Sequence, residues 1–465
     1  MSKVLLTHGY FIKEDEKEQS IMRPYPPLGL LYISSYLEEK DIDHQVLDST
    51  FSSFSEWKEK VLEYRPNWIC FYVNLMTKLT VVQFMKWIKN HPELRQTNIV
   101  LGGPDVSFNW EKYLQAGADF IVIGEGEETL SELVLANTEE EFQDIHGIAF
   151  RAQNGDAIQT AARKHVKNID ELPMPARHRI HLNQYLEIWQ EYHGSRTANV
   201  STQRGCPFTC KWCSTAVYGQ SYRRRSPELV VEELLQLKEE HGVESIWFVD
   251  DVFTVNYKWI KQLHAAFQKA DLKINFECIT RAERLNDTIL ELLKEMGCFR
   301  IWIGAESGSQ KILDAMDRKV SKEQVSQMIQ RTKAFGIEAG TFIMVGYPGE
   351  DEKDIQETID YLKECQPTHF TITKAYPIKG TTLYQEIESK ITTHLDWETS
   401  TDRDIDFKRT YPSQYYNLAI RRIVNEVNYS KTQAAIGKQG IRKSIFKAKS
   451  TAAAVGMCAI RSFMN

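Results

Sequence analysis

The chain has 465 residues, too many for a single core, so two or three domains are expected. Hydrophobic residues make up 42% and charged residues 26%, a balance that excludes a disordered chain. The formal net charge is −6, and nothing in the overall charge points to a nucleic-acid partner.

The opening "MSKVLLTHGY" runs straight into an apolar stretch and lacks a signal peptide's longer apolar core and small-residue cleavage site. The best apolar run near the other end, "TAAAVGMCAI", is far shorter than the ~20 residues a membrane span needs. A cytoplasmic location is therefore expected. A reducing cytosol disfavours disulfides, so clustered cysteines read as metal ligands or redox groups.

Residues 1–140 alternate strand and helix signals. Short apolar runs stand at "KVLLTH", "HQVLD", "WICFYV", "NIVLGG" and "DFIVIGEG", with helix-period stretches such as "LGLLYISSYLEEK" and "VVQFMKWIKNH" between them. This order predicts a Rossmann-like, doubly wound parallel sheet. Three strands end in small or polar turns: "NLMT" with Asn74 and Thr77, "GGPD" with Gly102 and Gly103, and "GEGE" with Gly124, Glu125 and Gly126. Ligands of such sheets lie beyond the carboxyl ends of the strands, where glycine lets backbone come close. Gly102 and Gly103 can equally serve only to turn the chain.

Residues 141–190 read as a strand-like tail and linker, with Pro173 and Pro175 stopping regular structure. From 191 to 412 the alternation returns. Strand candidates are "TANVSTQ", "SIWFVDD", "INFECIT", "FRIWIGAES", "EAGTFIMVG" and "HFTITKAYP". Helices separate them, one of them "SPELVVEELLQLKEEHG", with Ser226 placed as N-cap and Pro227 in the first turn. Six strand–helix repeats fit a partial (β/α)6 barrel, whose active groups gather at the strand carboxyl ends. Residues 413–465 form a basic helical tail. Its nine Lys or Arg are Arg421, Arg422, Lys431, Lys438, Arg442, Lys443, Lys447, Lys449 and Arg461, against the single acid Glu426. Such a tail can touch a membrane surface or an anionic substrate, or simply form a solvated face. The run Arg223, Arg224 and Arg225 has the same two readings: facing an anionic ligand, or a solvated turn.

Cys206, Cys210 and Cys213 follow the first barrel strand directly, at its catalytic end. Three thiolates on one short loop can hold three corners of an iron–sulfur cluster and leave a fourth iron open. Structural zinc wants four ligands, and no fourth is near: Cys278, Cys298, Cys365 and Cys458 are scattered singly.

The spacing Cys-x-x-x-Cys-x-x-Cys, with aromatic Trp212 before the last cysteine, resembles the signature of the radical S-adenosylmethionine superfamily. The resemblance implies a 4Fe–4S cluster on Cys206, Cys210 and Cys213. Its open iron would bind S-adenosylmethionine, whose reductive cleavage yields a 5′-deoxyadenosyl radical. The resemblance extends to the cofactor positions. Trp212 lies on the cluster loop, Asp250 and Asp251 match the methionyl-amine contact, and Arg281 suits the carboxylate. Glu306 and Ser307 match the ribose contact, and "IMVGYPGEDEKD" the adenine side.

The N-terminal region is similar to the cobalamin-binding domain fused to many radical enzymes, through "YPPLGLLYISSYLEEKDIDHQVLD", "VLGGPDVS" and "VIGEGEETLSEL". The resemblance would make Asn74, Thr77, Gly102, Gly103, Gly124, Glu125 and Gly126 the cobalamin-facing positions. The mutase motif Asp-x-His-x-x-Gly is absent: the nearest string, Asp144-Ile145-His146, follows the fifth strand, and Ala149 stands where the glycine should be. Cobalamin with its lower base detached and no histidine on cobalt is the expectation. The family implies a small-molecule substrate and a flavodoxin- or ferredoxin-type electron donor. It also implies radical chemistry, with methyl transfer to a carbon or phosphorus centre as the first reading and an oxidative cyclase or rearrangement enzyme as the second. A methylthiotransferase would need three cysteines in the N-terminal domain, which has only Cys70. A non-enzymatic iron–sulfur sensor would not need the cofactor-facing positions.

Overall fold

The computed structural model describes residues 3–215, 217–432 and 438–463, with the side chains of residues 438–440 outside that description. The charge of Lys438, counted above in the tail, and Ala216, which ends the cysteine-rich stretch, therefore lie outside it. The chain divides into two compact units. One comprises Met1–Pro207, Ser214–Trp247 and His394–Asp404; the other comprises Phe208–Cys213, Phe248–Thr393 and Ile405–Asn465.

The first unit is built on a sheet of β1 (Val4–His8), β2 (His44–Leu47), β3 (Trp68–Tyr72), β4 (Asn98–Gly102), β5 (Phe120–Val122), β6 (Ile148–Arg151) and β7 (Ala157–Gln159). Its order is β2-β1-β3-β4-β5-β6-β7, with β1 to β5 parallel and the last two strands antiparallel. The alternation of side chains along each strand explains the two-sided burial. Leu5, Ile69, Phe71, Ile99, Leu101 and Ile121 pack one core with Trp57 and Phe84. Their neighbours Val4, Leu6, Cys70, Val100 and Val122 pack the opposite core with Leu30 and Leu133. Strand order reverses between β1 and β3, which places a crevice at their carboxyl ends. The segment after residue 141 extends this sheet through β6 and β7.

The six predicted barrel strands are all present: β8 (Thr197–Val200), then β11 (Ser245–Phe248), β12 (Asn275–Thr280), β13 (Cys298–Glu306), β14 (Glu338–Val345) and β15 (His369–Lys374). Between β8 and β11 lie two very short strands, β9 (Gln203–Arg204) and β10 (Arg223–Arg224), which pair antiparallel. In the second unit β12, β13, β14 and β15 are parallel neighbours in chain order. Helices Asp287–Glu295, Lys322–Ala334 and Glu352–Cys365 run between them. Strand, helix, strand in unbroken parallel order is the pattern of an open barrel. Ser226 does occupy the N-cap of helix Pro227–His241, but its side chain makes no capping bond. Its backbone N–H donates to Asp170 Oδ1 instead, at 2.8 Å.

The tail is helical, as expected: Ser413–Lys431 and Lys438–Ser462 pack on each other. Ala453 and Met457 are buried in that contact, and Ser450 Oγ donates to Glu426 Oε1 at 2.6 Å.

Candidate active site

The antiparallel pair β9–β10 closes the base of the cysteine loop, with Arg204 opposite Arg223. Gly205 opens the loop at φ +81°, and a Cβ there would meet the Ser221 carbonyl oxygen at 2.5 Å, so only glycine fits. Two arginines facing each other would repel without counter-charge. Glu125 and Glu127 supply it: Arg204 Nη1 and Arg223 Nη1 donate to the Glu125 carboxylate at 2.9 and 2.8 Å, and Arg204 Nη2 donates to Glu127 at 2.5 Å. The Val166 backbone N–H donates to Glu125 at 2.9 Å. Burial alone would raise the Glu125 carboxyl, but the Arg223 and Arg204 hydrogen bonds outweigh it and hold the group below its ordinary range. Arg225 is likewise buried and bonded to Glu233, whose other oxygen accepts from Arg177 at 2.6 Å. Arg224 Nη2 donates to Thr202 Oγ1 at 2.9 Å. The arginine run thus makes its ion pairs and hydrogen bonds within the first unit rather than standing in a solvated turn. The carboxylate of Glu125, expected to face cobalamin, is spent in that network.

The other expected cobalamin positions separate by geometry. A Cβ on Gly103, at φ +112°, would meet the Val73 carbonyl oxygen at 2.5 Å, and one on Gly126 would meet Ile33 Cδ1 at 3.2 Å. Packing within the chain demands glycine at 103, while at 126 only the tip of the Ile33 side chain would have to yield. A Cβ on Gly102 would meet nothing nearer than 3.8 Å, and one on Gly124 nothing nearer than 4.0 Å. A side chain would fit at Gly102, and Gly124 has space around it although its φ of +92° by itself calls for glycine, so a flat ring could approach both. Asn74 and Thr77 turn inward: Asn74 Oδ1 accepts from the Met76 and Thr77 N–H groups at 2.8 and 3.1 Å, and Thr77 Oγ1 accepts from Asn74 N–H at 2.9 Å. His8 stands at the crevice but is 3% exposed. Its Nε2 faces Asp48 Oδ1 at 3.0 Å and its Nδ1 accepts from the Tyr10 N–H at 3.1 Å, so both ring nitrogens are engaged.

In the second unit, the segment Phe208–Cys213 is held from several sides. The Leu383 N–H donates to the Lys211 carbonyl at 2.8 Å, Lys211 Nζ pairs with Glu386 at 2.7 Å, and Trp212 packs against the cluster of Met316, Met344 and Tyr347. The Cys213 N–H donates to the Cys210 carbonyl at 3.1 Å, so both thiols rise from one turn. Cys206 and Cys210 are partly exposed and Cys213 is exposed; none of the chain's cysteines forms a disulfide. Among the described residues no three His, Cys, Asp or Glu side chains converge in a metal-binding group. The donor chemistry is what fits a cluster: three accessible thiols on one loop, one of them in contact with a guanidinium. Arg281, expected to bind the cofactor carboxylate, lies across the Phe208 ring at 4.0 Å and donates through Nη1 to Cys210 Sγ at 3.0 Å. Its other donors go to Glu283 and, at 2.6 Å, to the Arg318 carbonyl. The guanidinium is therefore engaged by Cys210, Glu283 and the Arg318 carbonyl within the chain.

The remaining expected residues lie in the second unit. Asp250 is buried at the end of β11. Asp251 reaches solvent but is walled by protein; burial, with the Asp250 charge beside it, raises its carboxyl. Ser307 is 1% exposed, its hydroxyl accepting from the Ser309 N–H at 3.1 Å, so it shapes the turn rather than facing a ligand. Glu306 is different. The β13–β14 register slips beside it, and its backbone sits at φ +64°, a costly conformation for a non-glycine residue. Its carboxyl has no hydrogen-bond partner among the described residues and burial raises it to about 7, against the smaller lowering effects of Arg318 and Arg281. The strand end thus combines a left-handed backbone with a carboxyl that makes no hydrogen bond among the described residues. Sequence reasoning missed Arg318, which is 2% exposed and holds the Gly304 carbonyl at 2.8 Å; nothing in its local pattern separates it from a surface arginine.

The raised Glu306 carboxyl has a measurable consequence. It stabilises the fold fully below its unfolded value, near pH 4.5, and that contribution is lost as pH rises through about 7. Glu306→Gln removes the charge but keeps the backbone strain. The variant should match the parent at pH 4 and be more stable by about 1–2 kcal/mol above pH 7.5, once solvent screening is allowed for. Urea midpoints of both proteins at the two pH values check this; an equal gap at both would show that the charge is not the cause.

Comparison with known proteins agrees with this geometry. Residues 200–362 match the model of the radical SAM superfamily, and residues 20–134 match that of the B12 binding domain. An uncharacterized methyltransferase of Pyrococcus horikoshii is 31% identical over 408 residues, covering 85% of this chain and 86% of the relative. Cytidylyl-2-hydroxyethylphosphonate methyltransferase of Streptomyces wedmorensis is 28% identical over 303 residues, 58% of this chain and 56% of that one. The structure of the cobalamin-dependent S-adenosylmethionine radical enzyme OxsB superposes with a TM-score of 0.76 at 16% identity, over 98% of this chain and 72% of that one. The cofactors of such enzymes are a 4Fe–4S cluster, S-adenosylmethionine and cobalamin. With the two domain models in this order and a relative alike over most of both lengths, the chain belongs to the radical S-adenosylmethionine enzymes that carry a cobalamin-binding domain.

Proposed function

We propose that this enzyme transfers a methyl group to a carbon or phosphorus centre of a small molecule, with the cluster held by Cys206, Cys210 and Cys213. When bound, the cluster and S-adenosylmethionine supply one-electron chemistry, and cobalamin a methyl carrier. The observation that carries the reading is the Phe208–Cys213 turn, where Arg281 lies against one thiol and the next thiol is exposed. Arg281 would hold Cys210 in place through its 3.0 Å contact to the sulfur. Glu306 and Asp251 offer acceptors to the hydroxyl and ammonium groups of a polar cofactor. Gly102 and Gly124 would leave space for a flat ring, and His8, with both ring nitrogens engaged within the chain, would not be free to ligate its metal.

We assign residues 1–140 to cobalamin, 141–190 to a linker, 191–412 to the radical core and 413–465 to a basic helical region. A flavodoxin- or ferredoxin-type donor would supply electrons, in the cytoplasm; no helix among the described residues is long and apolar enough to cross a membrane. Both curated relatives named above are methyltransferases, which favours methyl transfer over the ring-closing alternative. Mass spectrometry of products from the reduced, fully loaded enzyme tests this. A gain of one methylene is expected; loss of hydrogen or gain of oxygen would replace methyl transfer with cyclisation or rearrangement.

A further inference from the structure

The C-terminal helix Lys438–Ser462 buries one side and leaves another bare. Ser450, Ala453 and Met457 face inward. On the far side Ile441, Ile445, Ala448, Ala452, Val455, Ala459 and Phe463 are all exposed. Their spacings of three and four residues place them on one stripe of an α-helix, about 33 Å long at ~1.5 Å per residue. No polar residue interrupts it. Ile441 is 68% exposed, Val455 64% and Phe463 91%, so large apolar groups stand in water along its length. A contiguous apolar stripe of this kind marks a contact surface.

The flanks identify the occupant. The helix carries no acidic residue, in a chain whose net charge is −6. Arg461 pairs with Glu352 and Lys447 lies 3.6 Å from Glu426, both of them carboxylates outside the helix. Arg442 and Lys449 border the stripe and have no carboxylate within ion-pairing distance among the described residues. Lys443 rests over the Tyr429 ring at 5.2 Å. A second copy of the helix laid on the stripe would bring Arg442 and Lys449 against the same positive edge, with no acid on the helix to relieve it. A bilayer bearing negative headgroups meets both features at once: acyl chains for the stripe, anions for its borders.

We propose that this helix docks the protein onto an anionic lipid surface, lying in the plane of the interface. The inference stands on the helix alone and is independent of the reaction assigned to the site. Flotation of the full chain, purified anaerobically, with phosphatidylcholine vesicles containing or lacking phosphatidylglycerol tests it. The chain should float with the anionic vesicles, and added salt should weaken the association. Ile445→Asp with Val455→Asp points outward and should preserve the helical signal, yet lower the bound fraction at least about tenfold. Arg442→Gln with Lys449→Gln should weaken anionic binding roughly tenfold or more and flatten the salt dependence. A chain that stays with the pellet fraction on anionic vesicles overturns the proposal. So does a lipid-free dimer, seen by light scattering, that Val455→Asp dissolves, because the stripe would then be covered by a second copy.

Discussion

Replacing Cys206, Cys210 and Cys213 together by alanine should lower iron in the anaerobically reconstituted protein from about four atoms per chain to below about one. Cleavage of S-adenosylmethionine to 5′-deoxyadenosine should disappear with it. The effect is near total because the chain has no substitute ligands. Cys70, Cys278, Cys298 and Cys365 are buried, and Cys458 is exposed on the C-terminal helix. Burial pushes the Cys365 thiol up to about 12 and the Cys278 thiol well above its ordinary value, so neither offers a ready thiolate. Cys278→Ala is the matched control and should keep its iron. Iron counting with the visible absorbance of the cluster reads both proteins. Full iron in the triple variant, or two clusters per chain in the parent, would remove the loop from the role given to it.

The second large effect concerns stability. Glu125→Ala should destabilise the protein by about 3–5 kcal/mol, since it leaves the buried Arg204 and Arg223 short of a counter-charge. Glu125→Gln keeps the shape and should cost less, through its remaining hydrogen bonds. The folded carboxyl is held below its unfolded value, so its contribution is present above about pH 4.5 and is lost as pH falls through the lowered folded value. The gap between parent and Glu125→Gln should therefore close in acid, which urea midpoints at pH 7 and pH 4 would resolve. A variant of unchanged stability that only loses cobalamin would return Glu125 to the ligand-facing role expected from the sequence.

These two residues mark the line between what could be read ahead and what could not. Cys206, Cys210 and Cys213 lie within eight positions of each other, and ligand spacing is a local property of the chain. The parallel sheets were legible for the same reason. An apolar run such as "WICFYV" is buried on both faces, "FRIWIGAES" mixes buried with half-buried residues, and the helices between strands repeat every three to four residues. Ser226 in the N-cap position was local too, but whether its hydroxyl or its N–H found a partner depended on Asp170, more than fifty residues away.

Charged side chains were not legible, because the fate of a charge is decided by what folding brings beside it. Glu125 looked like part of a glycine-rich ligand turn until Arg204 and Arg223 arrived from a distant loop. Arg281 looked like an open carboxylate receptor until Cys210 and the Arg318 carbonyl took its donors. Gly102 and Gly103 are neighbours of one residue type, yet the Val73 backbone crowds only the second. By itself the sequence determined the strand and helix succession, the thiol cluster and the family resemblance, all of which rest on spacing along the chain. Only the tertiary structure decided which acids and bases are spent holding the fold and which, like Glu306, are left without a hydrogen-bond partner among the described residues. Desolvation and ion pairing act between groups that are far apart in sequence and close in space.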